Sequence, residues 1–243
     1  MTDLPASAAL PPQVRAADFG HVLVLVDYRT GHVQGLLPAA AERFREAART
    51  GRPAPLPDIL AAQLLDAGLL APAPVARPWK VIEAATAPPS WGGTEHPAGT
   101  TRPAPVPQRA LLSAAGALAA VAAVKTAGNS RTTMLRVLRA VHRAASTCRR
   151  PATLEQATAA VLAVRAAGRH SPGRAACLEE SAAAVLLLAA RRLAVTWCHG
   201  IAADPVRLHA WMQTMDGTPV AEPPSTLAYT PILTIGGRHQ RQP

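Results

Sequence analysis

The sequence predicts an α+β protein made of two domains and a linker, on three observations. An N-terminal stretch has the pattern strand, strand, helix, helix; a segment rich in Pro, Thr, Gly and Ala follows it; and the C-terminal half has four helical stretches before a series of strands. The 243 residues, 49% of them hydrophobic, suffice for two small cores. We therefore expect domains at residues 1–85 and 109–243, with a linker at 86–108.

The first domain begins with the signature of a β-hairpin. Residues 22–26 (VLVLV) and 32–37 are extended runs on either side of a turn signal at 27–31. An amphipathic helix is predicted over 39–49, and a second one over 57–67. Two strands followed by two helices are the outline of a small winged-helix-like module.

A change of composition marks the linker. From residue 71 to residue 108 the chain is dominated by Pro, Thr, Gly and Ala. Such a segment does not bury enough apolar surface to offset the entropy of ordering it, so most of it is predicted to be linker. Residues 79–82 (WKVI) are an exception that can pack back as a short strand.

The second domain is predicted to be helical first and extended afterwards. Helices are expected at about 108–126, 131–146, 153–168 and 177–192. The last of them is apolar nearly all round, which is typical of a central helix. Strands are then expected at 194–199, 207–214, 218–221 and 227–233.

The charge of the chain does not by itself indicate a nucleic-acid partner. The formal net charge is +10, but the Arg residues are scattered and aromatic residues make up only 3% of the chain. Nucleic-acid binders usually cluster their charge on one face or interleave it with stacking rings. We therefore expect no nucleic acid and attribute the excess of Arg, Ala and Pro to a GC-rich genome.

We also expect no membrane and no oxidising compartment. The apolar run at 110–124 is shorter than the roughly 20 residues that span a bilayer, so a buried or packed helix is predicted there. The chain opens with no secretion signal, and its three cysteines form no paired framework. A cytoplasmic protein with free thiols is the expectation.

No metal ion and no cofactor are expected either. Cys198 and His199 are adjacent on a predicted strand, so their side chains point to opposite faces and do not readily bind one ion. No glycine-rich loop precedes a helix, which argues against nucleotide binding.

Cys177 and His209 are the strongest candidates for chemistry. Cys177 stands at the start of the predicted central helix, where free N–H groups and the helix dipole stabilise a thiolate and a developing oxyanion. His209 lies on a strand shortly before a turn at Asp216-Gly217, where it can act as the base. Cysteine is also a common small buried residue. It is the pair that predicts a cysteine-dependent acyl hydrolase.

An acid is expected to orient the imidazole of His209. A hairpin centred on Asp216-Gly217 brings Glu222 back beside His209, in the position of the third member of a triad. Asp216 is the other acid nearby, but as a turn residue it should point to solvent. We favour Glu222 over Asp216.

Five short motifs of the C-terminal half occur together: Cys177-Leu178-Glu179 with Ser181, Gly200-Ile201, His209-Ala210-Trp211-Met212-Gln213, Asp216-Gly217 and Glu222. These motifs resemble those of the leader-peptidase B proteins of lasso-peptide biosynthesis, a branch of the transglutaminase-like (papain-like) cysteine peptidases. The resemblance covers about a quarter of the chain tightly. It implies a cysteine peptidase domain at 109–243 with Cys177, His209 and Glu222 as catalytic residues.

One departure from the family concerns the acid. The family usually carries Asp as its third member, whereas this chain has Ala221-Glu222 after a one-residue insertion near Met215. The role of the Asp would fall to Glu222, which is one methylene longer.

The N-terminal domain resembles the precursor-recognition domains of ribosomally made, modified peptides. Such domains bind a leader peptide as an added strand on the open edge of the hairpin, against the last helix. The resemblance implies an edge formed by His32, Val33, Gln34, Gly35 and Leu36, and a pocket wall formed by Ile59, Gln63, Leu64 and Asp66.

Together the two halves predict a cysteine endopeptidase that binds the leader of a lasso precursor and cleaves it from the core. The resemblance implies a second partner, an ATP-using, asparagine-synthetase-like cyclase that closes the ring afterwards. Two non-enzymatic alternatives remain. One is a peptide-docking scaffold with a degenerate peptidase domain, and the other is a winged-helix regulator that binds nucleic acid.

Overall fold

The computed structural model describes residues 4–84, 106–170 and 176–236. The chain divides into two compact units, Met1–Thr86 and Ala87–Pro243. Most of the predicted linker at 86–108 lies outside the described residues, as does the segment 171–175 that precedes Cys177.

The first unit combines a four-stranded sheet with two helices. The sheet has the order β4-β3-β2-β6, and its neighbouring strands are antiparallel except for the parallel pair β2 and β6. Strands β1 and β5 form a separate two-stranded pair. The elements are β1 (Ala8–Ala9), β2 (Val14–Asp18), β3 (Leu23–Asp27), β4 (Val33–Leu36), α1 (Pro38–Thr50), α2 (Asp58–Asp66), β5 (Ala71–Pro72) and β6 (Val81–Glu83).

The predicted hairpin is confirmed as β3 and β4, and the two predicted helices as α1 and α2. Strand β2 was missed, because VRAAD lacks the run of β-branched residues that marks a strand. The predicted return of 79–82 is confirmed in part, since Val81 and Ile82 begin β6. The sheet has four strands, because β2 and β6 add to the expected two-stranded hairpin. The observed topology is therefore larger than the expected outline, and the winged-helix-like description stays a prediction.

The core of this unit extends beyond residue 70, where the composition had suggested a linker. The rings of Phe44 and Trp79 lie 5.1 Å apart, and the indole N–H of Trp79 donates to the carbonyl of Ala8 at 2.7 Å. Gly51 has a φ of +69°, and a Cβ there would lie 2.2 Å from the carbonyl oxygen of Arg77. The segment up to Trp79 is therefore packed into the first unit. The change of composition at residue 71 therefore does not mark the end of the first unit, which agrees with a linker placed only after residue 85.

The second unit places four helices before an antiparallel three-stranded sheet of order β10-β9-β11. Short 3-10 turns lie at Ser130–Thr132 and Pro224–Ala228. The elements are α3 (Gln108–Thr126), α4 (Thr133–Ser146), β7 (Arg150–Pro151), α5 (Leu154–Gly168), α6 (Cys177–Ala189), β8 (Leu193–Ala194), β9 (Thr196–Ala203), β10 (Val206–Gln213) and β11 (Thr230–Ile235).

Helix α6 is central, as predicted. It packs against α3, α4, α5 and β10, and its side chains from Ser181 to Val185 are buried. Ser181 accepts a 2.9 Å hydrogen bond from the indole N–H of Trp197 on β9. Because α6 contacts both the helices and the sheet, the residues at its first turn face the sheet from a fixed position.

Helix α3 packs against its neighbours, but few of its side chains are buried. By length and composition it is the one helix of the described residues that can cross a membrane, but core helices of soluble proteins pass the same test. Only 11% of its apolar window is buried, with Ala114 and Val121 packed inward. The prediction of a buried or packed helix is therefore met by packing, since α3 contacts α4, α5 and α6.

The segment after β10 departs from the predicted strand at 218–221. Pro219 makes a single bridge to Gln213, and the N–H of Val220 donates to the carbonyl of Met212 at 2.9 Å. A longer ladder is blocked because proline has no N–H and because Ala221 has a φ of +52°. The predicted strand at 227–233 begins only at Thr230, after the 3-10 turn.

Candidate active site

Cys177 is the first residue of α6, and a carboxylate fixes the start of that helix. Glu179 accepts a 3.1 Å hydrogen bond from the N–H of Ala176, the residue just before the helix. The other oxygen of Glu179 pairs with Lys125 at the end of α3. The first turn of α6 is therefore tied to a neighbouring helix, which holds the thiol in place.

The thiol of Cys177 is surrounded by hydrogen-bond donors. Burial raises its pKa, but the ring of His209 and the N–H groups of Ala210 and Leu178 outweigh burial, so the pKa lies below its ordinary value of 9.0. Cys198 is completely buried, and burial raises the pKa of its thiol to about 12. Burial also raises the pKa of Cys148. Only Cys177 has the environment of a nucleophile.

The ring of His209 contacts two aromatic rings, one on β10 and one just before β11. His209 lies on β10, and its ring stacks on that of Trp211 at 5.7 Å, because residues i and i+2 of a strand share a face. The ring of Tyr229 lies 5.2 Å away at 50°. Gly200, opposite His209 on β9, leaves room for Trp211, since a Cβ there would lie 2.7 Å from the indole.

Glu222 fixes the orientation of the imidazole. The Nε2–H of His209 donates to Oε2 of Glu222 at 2.7 Å, which leaves Nδ1 for the thiol of Cys177. Burial lowers the pKa of His209, but its bonds to Cys177 and Glu222 and their negative charge raise it to about 9. The thiolate of Cys177 and the imidazolium of His209 therefore stabilise each other.

The carboxylate of Glu222 is itself well supported. Its side chain is 5% exposed, and burial raises its pKa, but bonds from His209 and Thr226 and the charge of Arg165 bring the pKa below its ordinary value. The hydroxyl of Thr226 donates to Oε2 at 3.1 Å. Arg165 on α5 donates to Oε1 at 2.6 Å.

Asp216 takes no part in this network, in line with the preference for Glu222. Its carboxylate accepts hydrogen bonds from the hydroxyl of Thr214 and, at 3.2 Å, from the N–H of Thr218. These bonds lower its pKa and close its own turn. Of the two acids considered, Glu222 is the one that contacts His209. That Cys177, His209 and Glu222 are catalytic remains a prediction.

Two charged residues of the site were missed by the sequence reasoning. Arg165 contacts Glu222, and Glu180 lies 3.6 Å from Arg165 with a pKa raised by burial. Arg165 is the only charged residue between Ala157 and Gly168 on α5. A single arginine in an otherwise apolar helix was therefore the sequence feature that could have indicated a buried ionic partner. Glu180 follows Cys177 by three residues, which places both on one face of α6.

These side chains line a small cavity of about 90 Å³. The cavity brings together the thiol of Cys177, the imidazole of His209 and the charged groups of Arg165, Glu180 and Glu222. Among the described residues no group of three or more His, Cys, Asp and Glu has the arrangement of a metal site. The chemistry that the cavity can support is attack by a thiolate with proton transfer from the imidazole.

The predicted leader-binding residues divide into surface and core. His32, just before β4, and Gly35 on β4 are exposed, Val33 and Gln34 are half-buried, and Leu36 is buried. On α2, Gln63 and Asp66 are exposed, as is Ile59, at 76%, whereas Leu64 is only 2% exposed. Leu64 packs in the core of the first unit, so its expected place in an open pocket wall is corrected.

Strand β4 lies at one edge of the four-stranded sheet. The N–H of Asp27 donates to the carbonyl of His32, so these two residues form a hydrogen-bonded pair beside the β3–β4 ladder. Every second pair of an antiparallel ladder is hydrogen-bonded, so the next such pairs are Leu25 with Gln34 and Leu23 with Leu36. Backbone groups alternate in direction along an antiparallel strand. The N–H and carbonyl groups of Val33 and Gly35 therefore point away from β3.

The fold and the site together define a mixed helix-and-strand domain with a cysteine, a histidine and a carboxylate in contact. Residues 120–234 match the family described as the Transglutaminase-like superfamily. The match runs from α3 to β11 and includes Cys177, His209 and Glu222. No curated protein and no solved structure matched the chain.

The chain thus contains a transglutaminase-like superfamily domain at residues 120–234. That superfamily includes cysteine peptidases, and the domain is compatible with a fold of the cysteine-peptidase type.

Proposed function

We propose that this protein is a cysteine endopeptidase that binds the leader of a ribosomally made lasso-peptide precursor and cleaves it from the core. The observation that carries the proposal is the chain of contacts from Cys177 through His209 to Glu222 inside a transglutaminase-like domain. The likeness of the CLE, HAW and D-G motifs to leader peptidases supplies the substrate class.

The cleavage step uses groups already in contact. The thiolate of Cys177 attacks the scissile carbonyl, and the N–H groups of Leu178 and Ala210, which donate to the thiol, are the nearest donors for the oxyanion. The imidazolium of His209 protonates the leaving amine of the core, which leaves the leader as a thioester on Cys177. Water, deprotonated by His209, then hydrolyses the thioester, releases the leader and regenerates the thiol.

Leader binding is proposed at the open edge of β4. A peptide strand can pair with the N–H and carbonyl groups of Val33 and Gly35, which point away from β3. The exposed side chains of Ile59, Gln63 and Asp66 on α2 are proposed to contact the side chains of the leader. Backbone pairing gives affinity, and side-chain contacts give register.

Cleavage frees the amine of the core, and a ring-closing enzyme needs that amine as its nucleophile. We therefore propose that an ATP-using, asparagine-synthetase-like cyclase acts after this protein. The proposed location is cytoplasmic.

The alternative of a non-catalytic scaffold rests on the replacement of the family's Asp by Glu. The 2.7 Å contact between Glu222 and His209 favours catalysis, because the longer side chain still reaches the imidazole. The test is to incubate the protein with candidate precursor peptides from short open reading frames near its gene and to follow the masses of leader and core. A precursor that binds but stays intact would support the scaffold, and a shift of duplex DNA without peptide binding would support the regulator.

A further inference from the structure

Arg165 contacts both the candidate acid and the backbone that carries it. Its Nη2 donates to Oε1 of Glu222 at 2.6 Å, and its Nη1 donates to the carbonyl of Ala221 at 2.6 Å. Its Nε lies 3.6 Å from a carboxylate oxygen of Glu180. The planar guanidinium thus bridges α5, α6 and the segment after β10.

The two oxygens of Glu222 have separate partners. Oε2 accepts from His209 and Thr226, while Oε1 accepts from Arg165. Without Arg165 the carboxylate keeps its bonds at Oε2 but loses the bond at Oε1, which restrains its rotation about the last side-chain torsion. A carboxylate that is less restrained holds the imidazole less firmly in one orientation.

The backbone next to Glu222 also needs support. Ala221 has a φ of +52°, in the left-handed region that residues other than glycine rarely adopt. No regular strand holds this segment, because its pairing to β10 is limited to a single bridge and the bond from Val220. The bond from Arg165 to the carbonyl of Ala221 holds the unusual backbone where Glu222 begins.

We propose that Arg165 is a positioning residue of the site, which fixes the Glu222 carboxylate and the Ala221 carbonyl so that Glu222 faces His209. It acts through Glu222, to which it donates directly. The inference rests on the proposed use of Cys177 and His209 in catalysis. Its test, however, needs no peptide substrate.

The test is the pH dependence of Cys177 alkylation by iodoacetamide, followed by mass spectrometry of the peptide that contains Cys177 in the full-length protein. Alkylation rises with the thiolate, which is stabilised by an imidazolium that Glu222 supports. The midpoint is the pH at which the alkylation rate reaches half of its maximum. In Arg165→Gln this midpoint is expected to rise by about one pH unit, so that the alkylation rate at a pH below the midpoint falls about ten-fold. The matched control Arg169→Gln, exposed just after the same helix, is expected to keep the wild-type midpoint.

A double-mutant cycle separates positioning from general support of the fold. Glu222→Gln is expected to raise the midpoint, and Arg165→Gln added to it is expected to change the midpoint no further, because Arg165 acts through Glu222. Shifts that add in the double variant would overturn the proposal, as would an unchanged midpoint in Arg165→Gln. If Arg165→Gln does not fold, Arg165→Lys decides. It keeps the charge but not the planar two-bond geometry, so a raised midpoint supports the proposal and a wild-type midpoint overturns it.

The outcome is distinguishable from a failure of the proposed function. If the protein cleaves no precursor but the two substitutions fail to add, the positioning role of Arg165 stands and the peptidase proposal falls. If cleavage occurs and the midpoint does not depend on Arg165, the peptidase proposal stands and this inference falls.

Discussion

Glu222 accepts a 2.7 Å hydrogen bond from Nε2 of His209, although the chain between them does not form a regular hairpin. The segment turns at Asp216-Gly217, makes one bridge through Pro219 and then leaves the sheet. The longer side chain of Glu222 spans the distance to the imidazole from that position. This pairing leads directly to a test of the acid.

Glu222→Gln is expected to lower turnover about 10²-fold or more while the protein stays folded. An amide has one acceptor oxygen, so it cannot accept from both Arg165 and His209, and it removes the negative charge that helps to keep His209 protonated. Glu222→Asp should also lose activity, because the shorter side chain cannot keep both the bond to His209 and the bond to Arg165. Steady-state kinetics with the precursor measures both effects.

The control for the acid is Asp216→Asn, which is expected to retain near-normal turnover. The carboxylate of Asp216 accepts bonds from Thr214 and Thr218 inside its own turn, and an amide can keep the acceptor role. An inactive Asp216→Asn together with a normal Glu222→Gln would move the role of the acid to Asp216. If neither substitution matters, the site is a dyad.

The pH dependence of kcat/KM is expected to be bell-shaped. Activity should rise through the lowered pKa of Cys177, below its ordinary value of 9.0, and should fall as His209 loses its proton near its raised pKa of about 9. Glu222→Gln should move the alkaline limb to lower pH, because a carboxylate no longer raises the pKa of His209. An alkaline limb that does not move in this variant would contradict the coupling of Glu222 to His209.

Much of the fold could be predicted from periodicity alone. The apolar run after Cys177 predicted the central helix, and the VLVLV run predicted β3, because in both cases local pattern and burial agree. Strand β2 was not predictable in the same way. Its short VRAAD sequence becomes a strand only because β3 and β6 pair with it on both sides.

The candidate site was partly predictable for a similar reason. Cys177 and His209 stand at a helix start and on a strand, so local pattern locates them. Arg165 lies 57 positions before Glu222, and no local pattern connects an arginine on α5 to the segment after β10. The burial of Leu64 likewise depends on tertiary packing. The pattern of apolar residues along α2 does not by itself show which of them enter the core.

Val33→Pro is expected to weaken leader binding about three- to ten-fold without a loss of fold. The N–H of Val33 points away from β3, so proline there removes a donor to an added strand and leaves the β3–β4 ladder intact. Gln34→Pro is the contrasting variant, since the N–H of Gln34 faces β3 and its loss should lower the melting temperature. Calorimetry with a synthetic leader and the Cys177→Ala protein measures the affinity. An unchanged affinity in Val33→Pro would argue against strand addition at this edge.

Gly200→Ala is expected to destabilise the second unit by about 1–3 kcal/mol. The new Cβ would lie 2.7 Å from the carbonyl oxygen of Thr230 and 2.7 Å from the Trp211 ring that stacks on His209. Gly116→Ala in α3 is the control, because a Cβ there meets nothing within 4 Å and alanine favours a helix. Denaturant unfolding compares the two. Equal stability of Gly200→Ala and the wild type would show that the backbone yields around Gly200.

The rate of leader removal by Cys177→Ala tests the central claim most directly. Leader and core are quantified by mass spectrometry after incubation of the precursor with the wild type, Cys177→Ala and Cys148→Ala, each shown to be folded. We expect no cleavage by Cys177→Ala with unchanged leader affinity, and near-normal cleavage by Cys148→Ala, whose thiol has a pKa raised by burial. Cleavage by Cys177→Ala at the wild-type rate, or its loss in Cys148→Ala alone, would contradict the assignment of Cys177 as the nucleophile.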